Sequence, residues 1–349
     1  MPSSLLRAEL ASLEVLTNAC WDYGNDFEGM ELCFNTELDG KLLRAVQTGW
    51  DDIGSPGAAD VFIYWDPAES RIGYRQYASD GGVAEGWIDV GPDSVSFRGD
   101  GIRLSPYMGR AQPHQFRFVS PEQLELIEID QDPERARPFR QIFQRVPARL
   151  NRDRTEPCAG CLEIPDRDSY RRVGVPHYMA ASLSHRLAPM EFMVTFGVAR
   201  QRDAERQYIR RGEPMYGGHF LRQVELVIEP GRSAREETIY YWHAEAGEVR
   251  YHTYSSSDEV SRGRVSFDDG GVQLFPDSEL GTQAGQWRVE LRPGDPQSDE
   301  VRLVELRSED AGASAEGRQL RFERVSRADV VLLMEIEWAP DAPAFRRLD

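Results

Sequence analysis

The chain repeats itself at a nearly fixed distance. Gly40-Lys-Leu-Leu-Arg44-Ala-Val-Gln47 returns as Gly218-His-Phe-Leu-Arg222-Gln-Val-Glu225, and Ile63-Tyr-Trp65 returns as Tyr240-Tyr-Trp242. Tyr74-x-x-Tyr77 matches Tyr251-x-x-Tyr254, Gly86 matches Gly263, and Phe143-Gln-Arg-Val146 matches Phe322-Glu-Arg-Val325. The partners stay 177 to 179 positions apart. Such self-similarity reads as two copies of one unit of about 140 residues, so any function belongs to that unit or to its pairing.

The pattern within each unit is period-two alternation of apolar and polar residues, broken by turn residues every ~8–12 positions, as in all-β sandwiches and barrels. In the first copy strands are expected near 30–35, 41–48, 59–65, 71–78, 82–90, 94–98, 115–119, 123–129 and 139–146. In the second they are expected near 191–198, 218–228, 237–242, 248–254, 260–267, 271–275, 286–291, 300–307 and 318–325. Asp66-Pro67, Asp80-Gly-Gly82, Gly91-Pro-Asp93 and Asp268-Asp-Gly-Gly271 suit tight hairpins. So many consecutive antiparallel strands would leave adhesive edges as an open sheet, and closure into an up-and-down barrel removes them. Leu6, Leu10 and Leu13 space a short amphipathic helix over 5–16, and a comparable segment at 177–188 precedes the second copy. The fold class expected is all-β: two tandem barrels, residues 1–146 and 177–349, each preceded by a short helix and joined by a linker at 147–176. The apolar run at 329–338 has no counterpart in the first copy.

Composition narrows the function. A formal net charge of -18 disfavours nucleic acid and anionic membrane surfaces as partners. Lys41 is the only lysine, as expected of a GC-rich genome or, failing that, of adaptation to salt. No stretch reaches the ~18 apolar residues of a spanning helix and no leader pattern opens the chain, so a cytoplasmic location without membrane insertion is expected. The four cysteines, at 20, 33, 158 and 161, are too few for a disulfide framework.

The order Gly-x-Leu-Leu-Arg-x-Val, Ile-Tyr-Trp-Asp-Pro, Tyr-x-x-Tyr with Ser-Asp-Gly-Gly, and a terminal Phe-x-Arg-Val resembles the lipocalin-like (calycin) domains of uncharacterised bacterial proteins. The resemblance covers 32–146 and 192–325. It implies a small closed antiparallel barrel whose interior holds apolar small molecules, and it carries over no catalytic residue.

Strand parity proposes which side chains line such an interior. The face of 41–48 that ends in Gln or Glu is read as the outer one, which sends Arg44 and Arg222 inward. There each needs a carboxylate, an aromatic face or a ligand anion. It would serve either as counter-ion for an acidic apolar ligand or as an arginine stacked on a barrel-end tryptophan. Phe62, Tyr64, Tyr74, Tyr241 and Tyr251 join Arg44 and Arg222 as expected ligand-binding residues, with Trp65 and Trp242 on the opposite face. Gly86 and Gly263 are read as leaving room.

Chemistry is otherwise sparse. Cys158-Ala-Gly-Cys161 stands alone in the linker, followed by His177 and His185. Histidines 219, 243 and 252 fall only in the second copy, with His219 and His252 on the presumed outer face. His114 follows a long 99–113 loop that would suit a lid. No nucleophile elbow, phosphate loop or dinucleotide fingerprint occurs. Neither a metal nor a cofactor is expected, and no catalytic residue is assigned. The expected function is binding of a small hydrophobic or amphipathic molecule in a barrel. The alternative is a cofactor-free isomerase or cyclase that uses inward Tyr and Arg as acid and electrostatic stabiliser.

Overall fold

The computed structural model describes residues 6–17, 19–24, 29–50, 56–99, 101–102, 114–129, 140–147, 187, 190, 196–201, 206–229, 232–257, 260–268, 271–277, 287–293, 300–309, 313–315 and 319–324. The linker, Cys158 and Cys161, most of the 177–188 segment, the body of the 99–113 loop and the 329–338 run lie outside them. The chain divides into two compact units, with one large antiparallel sheet in each.

The first sheet comprises β1 (Ala19–Gly24), β2 (Gly29–Glu37), β3 (Leu42–Trp50), β4 (Pro56–Asp66), β5 (Arg71–Ala78), β6 (Val83–Val90), β7 (Ser94–Arg98), β8 (Gly101–Ile102), β9 (His114–Ser120), β10 (Gln123–Glu128) and β11 (Arg140–Pro147). Each strand pairs with the next along the chain, except that β9 joins β7 while β8 only extends the edge at β6, and β11 returns to β1. Ten strands therefore close an antiparallel barrel, which removes both sheet edges. The second sheet comprises β12 (Phe196–Gln201), β13 (Arg206–Met215), β14 (Phe220–Glu229), β15 (Arg232–His243), β16 (Glu248–Ser255), β17 (Val260–Asp268), β18 (Gly271–Pro276), β19 (Trp287–Pro293), β20 (Glu300–Glu309), β21 (Ala313–Ala315) and β22 (Gln319–Arg324). It curls: β19 meets β20, β20 meets β22, and β22 meets β12 over a short ladder of two residue pairs.

Most expected strands are present. Four were missed: the short β8 and β21, and the longer β1 and β13, where Asp22 and the Arg206–Glu213 charges break the alternation that marks a half-buried strand. The expected helix over 5–16 is a 3-10 helix at Ala8–Leu16 rather than an α-helix. Its buried residues Leu10, Leu13 and Leu16 recur every three positions, which is the 3-10 period, so they form one stripe. None of the described helices is long and apolar enough to cross a membrane. Contrary to the reading of the cysteines, Cys20 on β1 and Cys33 on β2 stand directly opposite each other and are joined as a disulfide.

The opening glycine of the repeated motif has a conformational cause. A 3-10 turn, Leu38–Gly40 in the first copy of the repeat and Tyr216–Gly218 in the second, enters β3 and β14. It ends at φ +82° in Gly40 and +88° in Gly218, a region that favours glycine.

The core of the first unit lies on one face of its strands. Leu43, Ala45, Val61, Ile63, Ile72, Tyr74, Ile88, Phe97, Phe116, Leu124 and Phe143 join Trp21 and the 3-10 helix leucines in one cluster, with Trp65 packed against it. This corrects the parity of β3 and β4. Arg44, Phe62 and Tyr64 fall on the opposite, outward face, and Trp65 points inward.

Candidate functional site

The inward face of the second sheet changes character along its strands. Leu221, Tyr240, Val249, Tyr251, Val265 and Val272 form one apolar cluster with Tyr208, and Trp242, Leu274 and Val227 pack against it. Register then fixes what lies on the same face further along. Leu221 pairs with Tyr240, Gln223 with Thr238 and Glu225 with Glu236. On the other side of β14, Gly212 stands opposite Gln223 and Arg210 opposite Glu225. The side-chain period of two makes all of these share the face of Leu221.

Between Leu221 and the Tyr208–Val227 pair, that face carries a band that is polar and still buried. Arg210 and Glu225 are both largely buried and form a two-point ion pair, with Nε and Nη2 donating to Glu225 Oε2 at 2.9 and 2.7 Å. Thr238 and Thr253 share a hydroxyl hydrogen bond of 2.8 Å. Ser255 Oγ stands 3.5 Å from Glu236 Oε1 and 2.8 Å from Ser257 Oγ. Gln223 is only 8% exposed, yet its carboxamide oxygen has no hydrogen-bond partner among the described residues. A buried acceptor left unmet costs about 1–3 kcal/mol, and such an orphan in a native fold calls for an explanation.

The tyrosines of the apolar cluster hold their protons tightly. Burial pushes the Tyr240 and Tyr251 phenols well above the ordinary tyrosine value. Nearby charge acts less on Tyr240, with Arg210 pulling down and Glu225 pushing up. The rings lie 6.2 Å apart. Both phenols are therefore neutral donors near neutral pH. The face as a whole offers apolar walls, phenol and hydroxyl donors, and an unmet acceptor.

The seven residues expected to line an interior separate into two groups. Tyr74 and Tyr251 lie in the inward clusters. Arg44, Phe62, Tyr64, Arg222 and Tyr241 fall on the outward faces of their sheets, by the register of β3 with β4 and of β14 with β15. Neither arginine awaits a ligand. Arg44 pairs with Asp60 at 2.7 Å and lies over the Phe62 ring at 5.4 Å. Arg222 pairs with Glu237 through contacts of 2.7 and 2.8 Å. Other arginines lie over barrel tryptophans: Arg71 over Trp87 at 4.7 Å, and Arg145 on β11 over Trp21 on β1 at 5.9 Å. Sequence reading missed Arg210, Gln223, Glu225, Thr238 and Thr253, having assigned the face of Gln223 and Glu225 to solvent.

One further reading changes, and the histidines find their places. Gly86 and Gly263 do not leave room: a Cβ at either would collide with the backbone oxygen of Arg98 or Phe275. His114 lies on β9, half-buried and stacked 4.7 Å from Phe97. His219, His243 and His252 are all buried, and burial holds the His219 imidazole below its ordinary value. His243 Nδ1 accepts from the Ala246 N–H at 3.1 Å, and His252 stacks on Tyr254 at 4.6 Å. Among the described residues, the one group of three potential metal ligands is Cys20, Glu31 and Cys33.

The class defined by this architecture is an all-β protein built on a closed ten-strand antiparallel barrel and a second curled sheet. No family model matches the chain, and no curated protein matches it. Among solved structures, a protein of unknown function from the DUF3598 family of Nostoc punctiforme is 11% identical, over 92% of this chain and all of that one, at a TM-score of 0.22. The β-propeller domain of Nup133 from Vanderwaltozyma polyspora is 8% identical, over 89% of this chain and 92% of that one, at a TM-score of 0.17. Superpositions this poor transfer neither fold nor function.

Proposed function

We propose that the chain binds a small amphipathic molecule on the inward face of the second sheet, with its apolar part against Leu221, Tyr240, Tyr251 and Val265 and its polar group at Gln223 and Thr238. The observation that carries this is the orphaned Gln223 oxygen, buried where the apolar face turns polar. A ligand donor meeting that oxygen recovers the desolvation cost that the free protein bears. The neighbouring Arg210–Glu225 pair holds the polar band without consuming Gln223.

A lipocalin-like reading of the first unit is supported by the ten-strand closure, the 3-10 helix preceding β1, and Arg145 over Trp21. In that reading the first unit, whose inward side chains form one apolar and aromatic cluster, serves mainly as a structural barrel, and the second carries the ligand.

The test is Gln223→Leu. An orphan kept for a ligand costs the empty protein stability, so the variant should unfold at higher urea, by about 1 kcal/mol, while binding a fluorescent amphiphile about tenfold more weakly. Destabilisation with unchanged affinity would show the carboxamide to be a packing residue and sink the reading.

A further inference from the structure

A second cluster lies on the outward face of the first sheet. β1 and β2 pair so that Cys20 faces Cys33 and Asp22 faces Glu31. Trp21 and Leu32, at the alternate positions, belong to the core, so the other four point away from it. The Cα atoms of Cys20 and Cys33 are 4.1 Å apart. The ligand atoms of Cys20, Glu31 and Cys33 lie within 4.8 Å of one another.

Among the described residues, none places a positive charge in this arrangement. Asp22 and Glu31 are like charges directly opposite on neighbouring strands, which is destabilising. Neither side chain makes a hydrogen bond or ion pair with any described residue. The flanking positions on the same face are Val46 and Thr48 of β3 and Gln144 and Val146 of β11, none of them basic. Two sulfurs and a carboxylate beside a second, uncompensated carboxylate form a donor set for a borderline-soft divalent cation.

We infer that reduction of the Cys20–Cys33 disulfide opens a site for a Zn2+-type cation, held by the two thiolates and the Glu31 carboxylate, with Asp22 or water in the fourth position. The step balances. A dithiol reductant gives two electrons and two protons, breaks the S–S bond to leave two thiols, and becomes a disulfide itself. The cation then displaces the two thiol protons. Tetrahedral coordination sets the sulfurs about 3.8 Å apart, which side-chain rotation reaches from Cα atoms this close. The same pair of strands is thus stapled covalently when oxidised and by a metal ion when reduced.

The experiment uses the full chain with C158S and C161S, so that the other cysteine pair contributes nothing. Cd2+ is titrated into the oxidised protein, and into protein reduced by a phosphine that is then removed, while the thiolate-to-metal charge-transfer absorption is followed. The expected result is no uptake when oxidised and one ion per chain when reduced. Cys33→Ser should abolish the band, and Glu31→Gln should weaken binding by at least the tenfold that loss of a supporting partner costs. The oxidised-against-reduced comparison needs no substitution within the site, so a variant that fails to fold leaves it intact. A reduced chain that takes up no ion, folded or not, overturns the inference, as does uptake that neither substitution alters.

Discussion

Arg222 and Glu237 form a bidentate pair on the outward face of β14 and β15, with Glu237 entirely buried. Arg44 and Asp60 form the matching pair on β3 and β4, at positions 178 and 177 residues earlier. The charge at both places is thus neutralised within the protein. Arg222→Met should therefore act on stability, by about 3–5 kcal/mol, because it strands a buried carboxylate. Arg222→Met with Glu237→Leu should recover most of that loss. Arg44→Met should cost less, about 1–2 kcal/mol, since buried Asp60 keeps the hydrogen bond that the Tyr216 hydroxyl donates at 3.0 Å. Urea unfolding measures all three. Amphiphile affinity should be unchanged in each, and a variant that kept its stability but lost binding would return these arginines to the ligand site.

The strands and most turns were legible because alternation and turn chemistry are local. Asp66 Oδ1 accepts from the N–H groups of Ala68 and Glu69, and Asp80 Oδ1 from that of Gly82, as Asx turns do. The inside was not legible, because both faces of these strands are buried. Phe62 and Tyr77 on one face are as inaccessible as Ile63 and Leu43 on the other. A polar residue then no longer marks solvent, and Gln223 and Glu225 pointed the wrong way. The turn did hold a usable signal. With four residues between Asp66 and Arg71, Trp65 stands opposite Ile72 and Ile63 opposite Tyr74. Once Ile72 and Tyr74 are inward, Ile63 and Trp65 must be inward too, and Phe62 and Tyr64 outward.

Gly86→Ala and Gly263→Ala should each destabilise by about 1–3 kcal/mol or more, as overpacking does, because the new methyl meets the backbone of the neighbouring strand. Gly57 has nothing within 4 Å of a built Cβ. Gly57→Ala should be neutral or stabilising by up to about 1 kcal/mol. Thermal unfolding of the three variants checks the contrast, and equal effects would refute the close approach at β6–β7 and β17–β18.

Thr238 and Thr253 bond only to each other among the described residues. Thr238→Val or Thr253→Val alone strands the remaining hydroxyl, at about 1–2 kcal/mol, while the double replacement should cost far less than the sum. A double-mutant cycle on unfolding free energies should give a coupling of at least about 0.5 kcal/mol. Additive effects would mean that the two hydroxyls are solvated separately.

Alkaline pH should unfold the protein through its buried phenols. Burial first, and the Glu85 charge second, push Tyr74 up to about 12. The unfolded chain releases that proton near pH 10, whereas the folded chain keeps it. Between those values the unfolded state binds fewer protons, so stability falls as pH rises; below pH ~10 the contribution is fully present. Two units correspond to at most about 3 kcal/mol for this residue. Tyr240 and Tyr251 are raised in the same direction by burial and steepen the loss. Urea unfolding at pH about 9 and about 11 should therefore show a marked drop, made shallower by Tyr74→Phe. A wild-type stability flat across that interval, or a slope that Tyr74→Phe leaves unchanged, would mean that the phenol ionises as freely in the folded chain as in the unfolded one.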